Sequence, residues 1–95
     1  MGLRFEWDAK KAKANAKKHG VTFIEASTVF ADSLAGIRDD PDHSETEDRC
    51  IIIGMSKKIR ILVVVFTERN DTIRIISARR ATKNERNKYE EKHRR

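Results

Sequence analysis

Asp71-Thr72-Ile73-Arg74-Ile75-Ile76-Ser77-Ala78-Arg79-Arg80-Ala81 is the stretch whose reading decides the fold of this chain. It is apolar enough to be a buried strand, yet it carries arginines that a core strand does not need. The most hydrophobic run of the chain, residues 59–66, precedes it across the polar turn Glu68-Arg69-Asn70-Asp71. A segment that is nearly all charge follows it. On a regular strand side chains alternate between faces. Arg74, Ile76 and Ala78 then share one face, and Ile73, Ile75, Ser77 and Arg79 share the other. The two arginines are expected on opposite faces unless a bulge intervenes.

Working outward, residues 49–54, 59–67 and 72–79 read as three strands. The turns between them, Met55-Ser56-Lys57-Lys58 and Glu68-Arg69-Asn70-Asp71, are short enough to imply an antiparallel meander. Upstream, Leu3, Phe5 and Trp7 alternate with charged residues, as in a short edge strand or a packed arm. Asp8 is a good N-cap for an alanine-rich helix through His19, which Gly20 stops. Thr22-Phe23-Ile24-Glu25 forms a capping box for a second helix ending near Ala31, with Phe23, Ala26 and Phe30 as its core stripe. Residues 32–48 read as a loop with a short strand at residues 35–38. Thr82-Lys83-Asn84-Glu85 is a second capping box and opens a last helix toward Arg94. Tyr89 is the one large apolar residue of that helix, so burial alone holds it weakly. The fold class is α+β: a small antiparallel β-sheet with two N-terminal helices and one C-terminal helix, in one domain spanning residues 1–95.

Charged residues are 38% of the chain and the net charge is +6, with an isoelectric point near 9.8. The charge is uneven. Residues 1–31 carry +3, residues 32–48 carry −6 and residues 49–95 carry +9, which together give the net +6. An excess of this size favours an anionic partner, above all nucleic acid; a basic protein without a polyanion is the plainer reading. A single cysteine, Cys50, excludes an internal disulfide and reads as a buried, inert thiol. The N-terminus has no apolar segment of the signal-peptide kind and no apolar run is long enough to span a bilayer, so no membrane association and a cytoplasmic location are expected.

The chain contains no Walker loop, no dinucleotide fingerprint and no Ser/His/Asp signature, and its three histidines show no metal-ligand spacing. No metal or other cofactor is expected. Histidine, arginine, lysine and carboxylate suffice for metal-independent RNA cleavage: a base takes the 2′-OH proton, cations hold the developing charge, and an acid protonates the leaving oxygen. His19 is the best acid–base candidate; alternatively it only caps the C-terminus of its helix. Arg79, at the end of the deciding strand, is placed to grip a phosphate or to form a surface ion pair with the acidic loop. Glu47 and Arg49 share a strand face, as a base with its electrostatic partner or as a plain pair.

Taken together, Phe5-Glu6-Trp7-Asp8, Lys11, Asn15, Lys18-His19-Gly20-Val21, Phe23, Glu25-Ala26, Glu47, Arg49, Gly54, residues 74–81 and Glu85-Arg86 with Tyr89 resemble the BrnT toxins of bacterial type II toxin–antitoxin systems. The resemblance covers nearly the whole chain and implies a RelE-like fold and a ribonuclease that inhibits translation. It implies neutralisation by a ribbon-helix-helix antitoxin, with operator DNA bound only by the toxin–antitoxin complex. The family's polar motif positions fall on Lys18, His19, Glu47, Arg49, Arg79, Arg86 and Tyr89, and of these catalysis is expected at His19, Glu47, Arg49 and Arg79. RNA contacts are expected at Lys11, Lys18, Arg74, Arg86 and Tyr89, the last suited to phosphate contact or base stacking. The reading from another class is a non-catalytic basic module that holds nucleic acid and a partner protein.

Overall fold

The computed structural model describes residues 2–41 and 48–93. The elements run β1 (Arg4–Glu6), α1 (Ala9–His19), α2 (Phe23–Thr28) with a 3₁₀ turn at Val29–Ala31, β2 (Gly36–Asp39), β3 (Cys50–Met55), β4 (Ile61–Arg69), β5 (Thr72–Arg80) and α3 (Lys83–His93). The strands form one sheet of order β1-β5-β4-β3-β2. The expected meander is present, and β2 extends it on the far side. The sheet departs from the antiparallel pattern only at β1, which pairs parallel with β5 through Arg4↔Thr72 and Glu6↔Arg74.

The β4–β5 register passes from Val65↔Ser77 to Phe66↔Ile75, so Ile76 is an extra residue in β5. Such a bulge reverses the alternation beyond it. Ile73, Ile75 and Ala78 therefore enter one core together. Arg74 lies opposite Thr67 and Arg79 opposite Val63, so both arginines project from the other face. The expectation of opposite faces is corrected, and the bulge is the reason. A side-chain amide supports it. β1 ends at its pairing with Arg74, leaving the outer edge of β5 beyond it without a strand partner. Asn15 fills the gap: its Oδ1 accepts from the Ala78 N–H at 3.1 Å, and its Nδ2 donates to the carbonyls of Ala78 at 2.8 Å and Val21 at 3.0 Å.

α1 and α2 cover the first face. Asp8 caps α1 by accepting from the Lys11 N–H at 3.0 Å, and Gly20 ends it in the left-handed conformation at φ 69°. No residue of α1 is fully buried, and its inner side carries only small or polar residues such as Ala12, Asn15 and Ala16. The bulk comes from Val21, Phe23, Ala26 and Val29, which meet Leu62, Val64 and Ile75. Phe30 joins Phe5 and Phe66 edge-on, with ring centroids 5.3 and 4.9 Å apart. Gly54 lets the chain after α2 cross β3 closely: a Cβ there would stand 2.8 Å from the Ala35 Cβ.

The two capping boxes behave differently. At α3 both halves form: the Thr82 N–H donates to Glu85 at 2.8 Å, and the Glu85 N–H donates to Thr82 Oγ1 at 3.2 Å. At α2 only the Thr22 half forms, at 3.0 Å. The Glu25 carboxylate turns inward, only 4% exposed. There it accepts from Ser56 Oγ at 2.7 Å and from Arg60 through Nε at 2.9 Å and through Nη2. The Arg60 guanidinium holds the Glu25 carboxyl below the usual carboxylate range. This pair ties α2 to the β3–β4 turn, where β4 starts at Ile61 and Ile59 takes a left-handed φ of 61°. Among the described residues no helix is long and apolar enough to cross a membrane.

Candidate nucleic-acid interface

The second face of the sheet collects the cations. Arg74 and Arg79 project from it on β5. Arg38 on β2 lies opposite Ile51, which belongs to the apolar patch of this face. Arg49, just ahead of β3 and two residues before Ile51, falls on the same side if strand alternation is continued, and its carbonyl accepts from the Asp40 N–H at 3.0 Å. Arginines from three separate stretches of the chain thus share one surface. Its apolar centre is small: Ile51, Ile61, Val63, Ala81 and Tyr89, with Ile53, Met55 and Val65 at its margin.

α3 crosses one end of this face and is held mainly by polar contacts. Arg79 donates through both Nη atoms to the two Glu85 oxygens, at 2.8 and 3.0 Å. The Arg79 guanidinium holds the Glu85 carboxyl down at about 2, and Glu85 raises the Arg79 pKa in return. The partner of Arg79 is therefore the capping glutamate of α3, not the acidic loop. One turn on, the Tyr89 hydroxyl donates to Asp32 Oδ2, which also accepts from the Met55 N–H at 2.8 Å. Burial first, and the Asp32 carboxylate second, push the Tyr89 hydroxyl up to about 12. At 5% exposure Tyr89 anchors the helix, so its ring has no open face on which a base could stack. That corrects its expected stacking role, because the sole large apolar residue of a charged helix is the one that docks it. Arg86 is exposed and donates to the Ala81 carbonyl at 3.1 Å.

The other expected residues separate. Lys11, Lys18 and His19 lie on α1, on the helix-covered side of the sheet. Lys11 and Lys18 are exposed and His19 is half-buried. His19 is one helical turn beyond Asn15, which contacts Ala78 of β5. Glu47 lies outside the described residues, as does His43. Cys50 is half-buried rather than fully buried, and desolvation raises its thiol pKa. Among the described residues no three His, Cys, Asp or Glu side chains gather as a metal site.

Two of the hollows along this face are lined by its arginines. One, of about 240 Å³, is bounded by Glu6, Thr67, Arg69, Asn70, Thr72 and Arg74. There Arg74 is paired with Glu6 at 3.0 Å, an exposed contact. The other, of about 290 Å³, lies between β2 and α3. Sequence reasoning missed this second cleft and the roles of Asp32 and Arg38. Arg38 carried one faint signal, being the lone cation in residues 32–48. Asp32 carried none, since its partners at positions 55 and 89 are joined only by the fold.

A three-helix, five-stranded α+β domain of this build is found in a solved ribonuclease toxin. The crystal structure of the Brucella abortus ribonuclease toxin BrnT superposes with a TM-score of 0.62 at 23% identity, covering 85% of this chain and 99% of that one. The family described as "Ribonuclease toxin, BrnT, of type II toxin-antitoxin system" matches residues 7–85. The chain belongs to the BrnT toxin family. No curated protein is similar enough in sequence to add to this.

Proposed function

We propose that this protein is a metal-independent endoribonuclease toxin that cleaves RNA, inhibits translation and is neutralised by a cognate antitoxin of ribbon-helix-helix type. The observation that carries the reading is the bulge at Ile76, which turns Arg74 and Arg79 onto one sheet face with Arg38 and Arg49. Guanidinium groups spaced along one surface suit the repeated phosphates of a single strand. In this reading the strand runs from the Arg74 end toward Arg79. Arg79 and Arg49 stabilise the charge that grows on the phosphate as the 2′-oxygen attacks. His19 is kept as a proton-transfer group reached around the end of β5, with Glu47 as the other candidate. Lys11 and Lys18 extend the cationic path onto α1, and Arg86 extends it onto α3. Operator DNA is met only through the antitoxin complex.

Incubating the purified protein with RNA in EDTA tests the chemistry. Cleavage is expected to persist in chelator and to fall at least tenfold in Arg79→Ala and His19→Ala, both verified as folded by circular dichroism. Loss of cleavage on chelation sinks the metal-free mechanism. Salt-sensitive RNA binding without cleavage favours the non-catalytic module. Growth arrest on induced expression, and its relief by the adjacent gene product, tests the toxin and antitoxin parts.

A further inference from the structure

We infer that the cleft between β2 and α3 is a base-holding subsite for one nucleotide of single-stranded RNA, next to Arg79. The inference rests on the RNA-directed reading above and adds where, and by what chemistry, a base is held.

The floor of the cleft is apolar, made by Gly36, Ile53 and the locked edge of Tyr89. Its rim is cationic, with Arg38 from β2 and Lys88 and Lys92 from α3. All three are exposed, and none is ion-paired among the described residues. Glu85 closes the remaining side, and Arg79 already neutralises its carboxylate. A ligand that fits is therefore flat and weakly polar at its centre and anionic at its edge. A nucleotide has that character, with a base for the floor and a phosphate for the rim. At about 290 Å³ the cleft admits one such group and excludes a duplex.

Gly36 shapes the floor of the cleft. Its φ is not positive, so the backbone does not require glycine there. Glycine weakens a strand, and in a strand it often marks a close approach by a ligand or another backbone. A Cβ at Gly36 would stand 3.0 Å from the Lys92 Nζ, which also lines the cleft. What the glycine allows at this position is the close approach of a flexible lysine end to an edge strand. Because Glu85 both walls the cleft and grips Arg79, a base seated here brings its adjoining phosphate to the arginine proposed for catalysis.

The test compares two fluorescein-labelled probes that resist 2′-OH attack: a short single-stranded 2′-O-methyl RNA and the same backbone without bases. Anisotropy titrations use the full chain as wild type, as Gly36→Val and as the double variant Lys88→Glu, Lys92→Glu. Valine suits an edge strand and fills the cleft; the lysines are exposed helix positions, so the double variant folds even if Gly36→Val does not. Wild type is expected to bind the base-bearing probe about tenfold more tightly than the abasic one. Gly36→Val is expected to abolish that preference and keep salt-dependent binding. The double variant should weaken both probes and shrink the preference. A folded Gly36→Val, or the double variant, with the wild-type preference intact overturns the subsite; an acidic peptide as the true occupant would give that result. Wild type that binds neither probe and leaves unmodified RNA uncut overturns the RNA-directed reading itself, and the subsite with it.

Discussion

The two faces of the sheet are built on different principles. The face under α1 and α2 is closed by bulk: Phe23, Leu62, Val64 and Ile75 are almost fully buried, and Phe5, Phe30 and Phe66 seal its margin with edge-on ring contacts. The face under α3 has a small apolar centre, and its helix is secured by an arginine–glutamate fork and a tyrosine–aspartate hydrogen bond. Burying a large aliphatic or aromatic side chain stabilises by about 1.5–3 kcal/mol. A single hydrogen bond contributes only about 0.5–1.5 kcal/mol net. Fold stability therefore resides on the first face. The second is left free to carry charge that would be ruinous in a core.

The sharpest way to break this contrast is to remove bulk from the first face. Phe23→Ala should lose about 3–5 kcal/mol of stability by urea denaturation. If a substitution on the second face such as Arg74→Ala costs as much, the division of labour is wrong.

The bulge links the two faces and should respond next. Asn15→Ala leaves the Ala78 N–H and carbonyl without their side-chain partner and should cost about 1–3 kcal/mol. It should also weaken RNA binding by loosening the arrangement of Arg74 and Arg79. Unchanged binding would separate the bulge from the interface.

Removing single cations should act on binding rather than on folding. Arg74→Ala should leave the denaturation midpoint nearly unchanged and lower the salt slope of RNA binding by about one unit. A fall in stability with an unchanged slope would make Arg74 a structural residue.

The smallest effects should come from titrating the polar ties of α3. Glu85 has its pKa lowered from 4.5 to about 2 in the folded protein. Its contribution is present above pH 4.5 and is lost as the pH falls toward 2, so Glu85→Gln should flatten acid unfolding in that window. Tyr89 is raised from 10.0 to about 12, so its contribution is complete below pH 10 and is lost as the pH rises toward 12. Tyr89→Phe should cost about 1 kcal/mol at neutral pH and remove that alkaline loss. Hydrogen exchange in α3 would report both changes, and core exchange should stay unaffected if the faces are independent.

Much of the fold was legible because its signals are local. Asp8, Thr22 and Gly20 mark helix ends through neighbours within one turn, and the hydrophobic runs mark strands through their own periodicity. The α+β class, the order of elements and the family resemblance followed from these. The site was less legible because its geometry is non-local. Alternation alone sent Arg74 and Arg79 to opposite faces. One extra residue, Ile76, reverses that, and its position depends on β4 and on an amide from α1. The local capping pattern correctly paired Glu85 with Thr82 but could not show its fork to Arg79. At α2 the same pattern misled, because Arg60, brought near only by the sheet, outcompetes the Thr22 N–H for the Glu25 carboxylate.

By itself the sequence determined the elements, the basic character and the set of cations available for a polyanion, since these depend on composition and on contacts within a few residues. Only the tertiary structure decided which arginines share a surface, that Tyr89 is an anchor, and that Gly36, Arg38, Lys88 and Lys92 line one cleft. Those are relations between residues far apart in the chain, and strand pairing and helix docking alone bring such residues together.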